Sequence, residues 1–242
     1  MFKTSHHTPI PTRCRQAALL VFFCLIAPFS TQAQSLNFLT YSLDQGLPQS
    51  QVWTSISDQR GYLWFGTQGG GLTRYDGQQF TVYNAQNGLA TDYINALLED
   101  PTDFRLWIAT SRGLSYRFQN QDKIVTVSGG KTKINALALT EDDLLLAGTE
   151  NGLLQYDFKN DSLVSIPNGK ADLLANREIF SLLRIGKEIL IGTDRGLFRR
   201  TENGRYLSVD RIPRQYIYAM ATDSSQSYCW LGLYQEGLVK LS

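Results

Sequence analysis

Histidine and cysteine are nearly missing from this chain of 242 residues: two of the first, three of the second. His6, His7, Cys14 and Cys24 all lie within the first thirty-three residues. That stretch reads as a secretory leader, with Lys3, Arg13 and Arg15 as a basic start, an apolar core from Ala17 to Pro28, and Thr31-Gln32-Ala33 as a small-residue cleavage site. Cleavage after Ala33 leaves a chain from residue 34 to 242 without histidine, which excludes histidine chemistry. It also leaves Cys229 as the last cysteine, so no intramolecular disulfide can form. Cys229 precedes Trp230 in an apolar run and reads as a small buried residue, not a reactive thiol. The expected location is periplasmic, or alternatively secreted.

A strong excess of either charge is missing too. Three of the 23 basic residues and none of the 22 acidic ones fall in the leader, so the remainder is acidic by two and offers no argument for nucleic acid as a partner. After the leader no apolar run is long enough to span a bilayer. No window sustains an apolar stripe at helical spacing.

What is present is repetition. Trp64-Phe65-Gly66-Thr67 followed by Gly71-Leu72 returns at Trp107, Leu146, Leu190 and Trp230, at separations of 43, 39, 44 and 40 residues. Each unit holds short runs rich in β-branched and aromatic residues between Gly, Asn and Asp turns, the pattern of four strands per repeat in a β-propeller. The expected fold is all-β, with five four-stranded blades over residues 34–242. The fifth unit lacks an outer strand, and Leu36 to Ser42 reads as the strand that closes the ring by supplying it. The alternative is an incomplete part of a seven-bladed propeller. Gly66, Gly148, Gly192 and Gly232 sit inside apolar strands, where a side chain would hold neighbouring sheets apart.

In such a ring the loops entering each inner strand and the turns between second and third strands share the channel face. That face gathers the candidate ligand-binding residues Gln49, Gln68, Tyr93, Arg112, Asn151, Arg177, Arg195, Tyr216, Tyr234 and Glu236, with Arg214 close by. Amides, carboxylates and guanidinium groups beside tyrosines suit hydroxyl-rich ligands. The acidic groups Glu99-Asp100, Glu141-Asp142-Asp143 and Asp223 fall in hairpins on the other face and read as turn formers. They lack the spacing of a calcium-binding loop, and neither a metal nor a cofactor is expected. No catalytic residue is assigned; the competing reading, a carbohydrate-active or lyase-type propeller enzyme, needs carboxylates, or Tyr and Arg, converging over the channel.

Asp44-Gln45-Gly46-Leu47-Pro48, Val52-Trp53-Thr54-Ser55-Ile56, Asp58 to Thr67 and Gly71 to Gly77 closely resemble the two-component regulator propeller repeat. Asn87-Gly88-Leu89 with Ile94-Asn95-Ala96-Leu97 repeats its opening, and later copies degenerate, with Leu146 and Leu190 in place of Trp. The resemblance implies the periplasmic sensor region of a hybrid histidine kinase, an oligosaccharide as ligand, and no catalysis. With no kinase module in the chain, it implies a partner: a separate membrane-bound histidine kinase or another periplasmic protein. It equally admits a truncated fragment of a larger sensor kinase.

Overall fold

The computed structural model describes residues 38–166, 171–212 and 214–241. The leader at 1–33 lies outside them. Residues 41–242 form one unit, and in the unit of residues 1–40 the described Phe38–Thr40 have no regular secondary structure.

Among the described residues nineteen strands form five antiparallel meanders. The first blade holds β1 (Val52–Ser57), β2 (Leu63–Thr67), β3 (Leu72–Tyr75) and β4 (Phe80–Tyr83). The second holds β5 (Ile94–Glu99), β6 (Arg105–Thr110), β7 (Gly113–Phe118) and β8 (Ile124–Thr126), and the third β9 (Ile134–Leu139), β10 (Leu145–Thr149), β11 (Gly152–Asp157) and β12 (Ser162–Ser165). The fourth holds β13 (Ile179–Ile185), β14 (Glu188–Thr193), β15 (Gly196–Arg200) and β16 (Tyr206–Ser208), and the fifth β17 (Ile217–Thr222), β18 (Cys229–Leu233) and β19 (Gly237–Leu241). This is the expected all-β propeller of five blades, four of them four-stranded.

The closing strand is corrected by the structure. Leu36 and Asn37 lie outside the described residues, Phe38–Ser42 form no strand, and the fifth sheet has three strands. The Tyr41 hydroxyl lies 3.0 Å from that of Tyr75, and its ring packs 5.7 Å from Phe80, both on the first blade. The physical reason is an entry turn: Ser42 caps a single 3-10 turn at Leu43–Gln45, ended by Gly46 at φ 104°, a left-handed conformation that glycine adopts without steric cost. The same turn is built at Ala85–Asn87, with Asn84 as cap and Gly88 at φ 102°, ahead of β5. Each delivers a buried leucine, Leu47 or Leu89, to the core.

Threonine at the end of the second strand explains the Gly-Thr of the repeat. Thr67, Thr110, Thr149 and Thr193 are buried, and each hydroxyl donates to the carbonyl of the glycine that opens or immediately precedes the next strand, at 2.7 to 2.9 Å. Each also accepts a turn N–H, so a buried polar group is satisfied twice and the turn is fixed. Leu233 interrupts this in the fifth blade.

The core lies between blades. Four apolar clusters fill the four successive interfaces, centred on Trp64 with Ile108, Trp107 with Ala147, Leu146 with Ile191, and Leu190 with Leu231. The innermost strands β1, β5, β9, β13 and β17 pack each against the next, while no comparable packing joins β17 to β1 among the described residues. The far face of the fifth blade accordingly stays exposed, with Leu238 at 72% and Trp230 at 42%, where the equivalent Trp64 and Trp107 are buried.

Candidate functional site

One irregularity recurs in every blade and sets the site. Each innermost strand carries one extra residue near its start relative to its neighbour: Trp53, Asn95, Asn135, Phe180 and Tyr218. Such bulges re-aim a side chain out of the strand's alternation. In the second and third blades the bulge residue is asparagine, and its amide donates to the first carbonyl of the next inner strand: Asn95 to Ile134 at 2.8 Å and Asn135 to Ile179 at 2.9 Å. Gln68 makes the equivalent bond to Ile94 at 3.3 Å, and Ser181 to Ile217 at 3.1 Å. A side-chain hydrogen bond therefore fastens each blade to the next.

In the fourth and fifth blades the bulge residues are aromatic, and they meet. Phe180 and Tyr218 lie 4.7 Å apart between ring centres, Tyr216 stacks on Tyr218 at 6.0 Å and 22°, and Tyr234 closes on both at 5.8 and 6.0 Å. The N–H of Tyr234 donates to the Tyr216 carbonyl at 3.0 Å, which ties the inner-strand entry to the turn after β18. Tyr216, Tyr218 and Tyr234 remain 43 to 50% exposed. Beside them the Gln215 amide donates to the Glu236 carboxylate. The result is an exposed aromatic platform with hydrogen-bonding groups at its rim.

The expected site residues thus separate into groups. Tyr216, Tyr234 and Glu236 are brought together on this platform. Gln68 and Tyr93 are brought together between the first two blades by a bridge, and Gln49, whose amide oxygen accepts from the Ser50 N–H at 2.8 Å, lies against Gly70 of the same turn. Arg177 and Arg195 line a cleft of about 650 Å³ over the fourth blade, together with Arg214. Arg112 lines a smaller one of about 410 Å³ with Lys131, and Asn151 is exposed in its own turn, its N–H donating to Thr149 at 3.1 Å.

Sequence reasoning missed Phe180 and Tyr218. Both stand where Asn95 and Asn135 stand in earlier repeats, directly after the first Ile of the inner strand, and that alignment is the signal that finds them. Of the hairpin acids expected to form turns, Asp100 and Asp223 do so, as does Asp58, whereas Glu99 accepts from the Gln59 N–H of the first blade and Glu141 pairs with Lys187. Asp58 accepts two backbone N–H groups at 3.0 Å and the Trp64 indole at 2.9 Å; Asp100 accepts from Thr102; Asp223 accepts from Ser227, and its carboxyl is held below the usual range first by the Ser225 hydroxyl. Among the described residues no set of His, Cys, Asp and Glu gathers as metal ligands, and no helix is long and apolar enough to cross a membrane. Cys229 is buried, and that burial raises its thiol pKa.

Comparison with known proteins gives fold likeness over most of the chain and family likeness over two segments. The extracellular domain assigned to a one component system of B. thetaiotaomicron is 20% identical, with a TM-score of 0.64 over 87% of this chain and 28% of the other. The extracellular domain assigned to a hybrid two component system of the same organism is 23% identical, with a TM-score of 0.63 over 78% of this chain and 26% of the other. A catalytically inactive virginiamycin B lyase from Staphylococcus aureus, solved with quinupristin, is 15% identical, with a TM-score of 0.62 over 81% of this chain and 68% of the other. This chain spans little more than a quarter of the first two structures. Among curated proteins no sequence matches significantly. Residues 46–69 and 88–112 match the two component regulator propeller model, and both matches run from the glycine of a capped entry turn into the blade it opens. In these two segments the chain is similar to the two component regulator propeller repeat.

Proposed function

We propose that this chain is a non-catalytic ligand-sensing module, exported to the periplasm, that binds an oligosaccharide on the Phe180–Tyr216–Tyr218–Tyr234 platform. The platform carries the reading: four aromatic rings, each within 4.7 to 6.0 Å of at least two of the others, three of them about half exposed, with an amide and a carboxylate alongside. Aromatic faces stack on the apolar faces of sugar rings while amide and carboxylate groups bond their hydroxyls. The repeat family and the sensor domains of similar fold support a sensing role. The bound state would be read by a separate membrane-bound histidine kinase or another periplasmic protein.

The test is a panel of neutral oligosaccharides titrated by calorimetry against the protein and its Tyr216→Ala and Tyr218→Ala variants. A ring contact worth about 0.5 to 1.5 kcal/mol predicts roughly two- to ten-fold weaker binding per variant. Binding that ignores both substitutions defeats the platform. Conversion of the bound sugar to shorter or unsaturated products defeats the non-catalytic reading.

A further inference from the structure

Three arginines from separate parts of the chain converge over the outer half of the fourth blade. Arg177 comes from the loop entering β13, Arg195 from the turn between β14 and β15, and Arg214 from the segment entering β17. Together with Phe198, Tyr206 and Asp210 they line a cleft of about 650 Å³, within the usual range for small-molecule sites. We infer that this cleft is a second binding site, for the carboxylate of a uronic-acid-containing oligosaccharide. The identity of the ligand rests on the saccharide reading above; the oxyanion site does not.

Arg177 is held ready for such a ligand. Its Nε donates to the Leu173 carbonyl at 2.7 Å, and its guanidinium lies 4.8 Å over the ring of Phe198, which is itself buried. One edge and one face of the guanidinium are thereby used, and the terminal nitrogens keep their donors. Among the described residues neither Arg177 nor Arg214 forms an ion pair, and Arg195 meets Asp194 through Nε at 3.5 Å. The acid in the lining, Asp210, accepts from the Ser208 hydroxyl at 2.8 Å. The cleft therefore carries positive charge in excess although the chain beyond the leader is slightly acidic. Planar guanidinium groups match a carboxylate through paired, charge-assisted hydrogen bonds, and Phe198 and Tyr206 supply an apolar wall. The corresponding turn of the second blade has Arg112 and Lys131 around a smaller cleft with no aromatic lining, so the combination distinguishes the fourth blade from the second.

Trigalacturonate and its neutral counterpart maltotriose would be titrated against the full chain and its Arg195→Gln, Arg214→Gln and Arg177→Gln variants, with thermal melts to verify folding. The first two side chains are exposed, so their loss leaves the core intact. Trigalacturonate is expected to bind more tightly than maltotriose, to weaken as salt rises, and to lose about ten-fold or more in affinity with Arg195→Gln or Arg214→Gln. Trigalacturonate binding that survives both substitutions overturns the inference while leaving the platform reading intact. If no saccharide binds at all, the saccharide reading fails and inorganic sulfate decides the oxyanion site. A sulfate-dependent rise in melting temperature that disappears in both variants upholds it, and a rise unchanged in them, or no rise, refutes it.

Discussion

Substituting alanine at two equivalent glycines separates packed from unpacked blade faces. A methyl added at Gly148 would sit 2.5 Å from Ile179 Cγ2, about one ångström inside carbon contact distance, because the inner strand of the fourth blade presses on β10. Gly66 meets Ile94 in the same way, at 2.6 Å. At Gly232 the nearest atoms belong to Ala219 of the same blade at 3.6 Å, an ordinary contact. Neither Gly148 nor Gly232 has positive φ, so alanine fits both backbones. Overpacking of this kind costs about 1 to 3 kcal/mol, while replacing glycine within a strand returns roughly 0.5 to 1 kcal/mol. Gly148→Ala is therefore expected to lose about 1 to 2 kcal/mol and Gly232→Ala to gain up to about 1. For a protein of this size that corresponds to a melting temperature roughly 2 to 8 °C lower in one and about 2 to 4 °C higher in the other. Circular dichroism melts of the two variants beside the parent measure it. If Gly232→Ala falls as far as Gly148→Ala, the outer face of the fifth blade is packed and the account of the array given above is wrong.

Two further predictions follow from the blade junctions and the buried phenols. Asn135→Ala leaves the Ile179 carbonyl without its side-chain donor and is expected to cost about 1 to 2 kcal/mol in urea unfolding, whereas Asn151→Ala, in an exposed turn, should stay within about 0.5. Burial raises the pKa of Tyr156, which also donates to Asp161 at 2.6 Å, and burial likewise raises that of Tyr206. Their unfolded counterparts lose the proton near pH 10, so stability is whole below about pH 10 and declines as pH climbs above it. Tyrosinate absorbance should accordingly rise together with loss of the fold, and Tyr156→Phe should flatten the decline.

Much of the blade plan was legible because its causes are local. Short apolar runs, Asp-Gly turns and Gly-Thr endings each specify one strand or one hydrogen bond, and they recur. The junction chemistry was not, because it depends on register: residue 218 falls within a strand-like run whether or not a bulge turns its ring outward. The platform was therefore seen by halves, Tyr216 and Tyr234 from their loops, Phe180 and Tyr218 only from the pairing. The closing strand was misjudged because Leu36 to Ser42 alternates like a strand, while the deciding groups are the Ser42 cap and the Tyr41 ring, which commit the chain to the first blade. Arg177, Arg195 and Arg214 were placed on one face by repeat logic, but their shared cleft needed the intervening Phe198 and Tyr206.

Among the described residues the main packing runs from each blade to its successor, which makes local opening a graded property of position. Each interface joins segments about one repeat apart in sequence, so an end blade can detach while the others keep their cores. The third blade, whose β9 and β10 are almost wholly buried, should hold its amide protons longest, with exchange quickening toward β1 and β19. The aromatic platform straddles the last junction, where that protection is running out. A ligand seated there would add its binding free energy to the junction of the last two blades, so that occupancy would be felt as slower opening of the fifth.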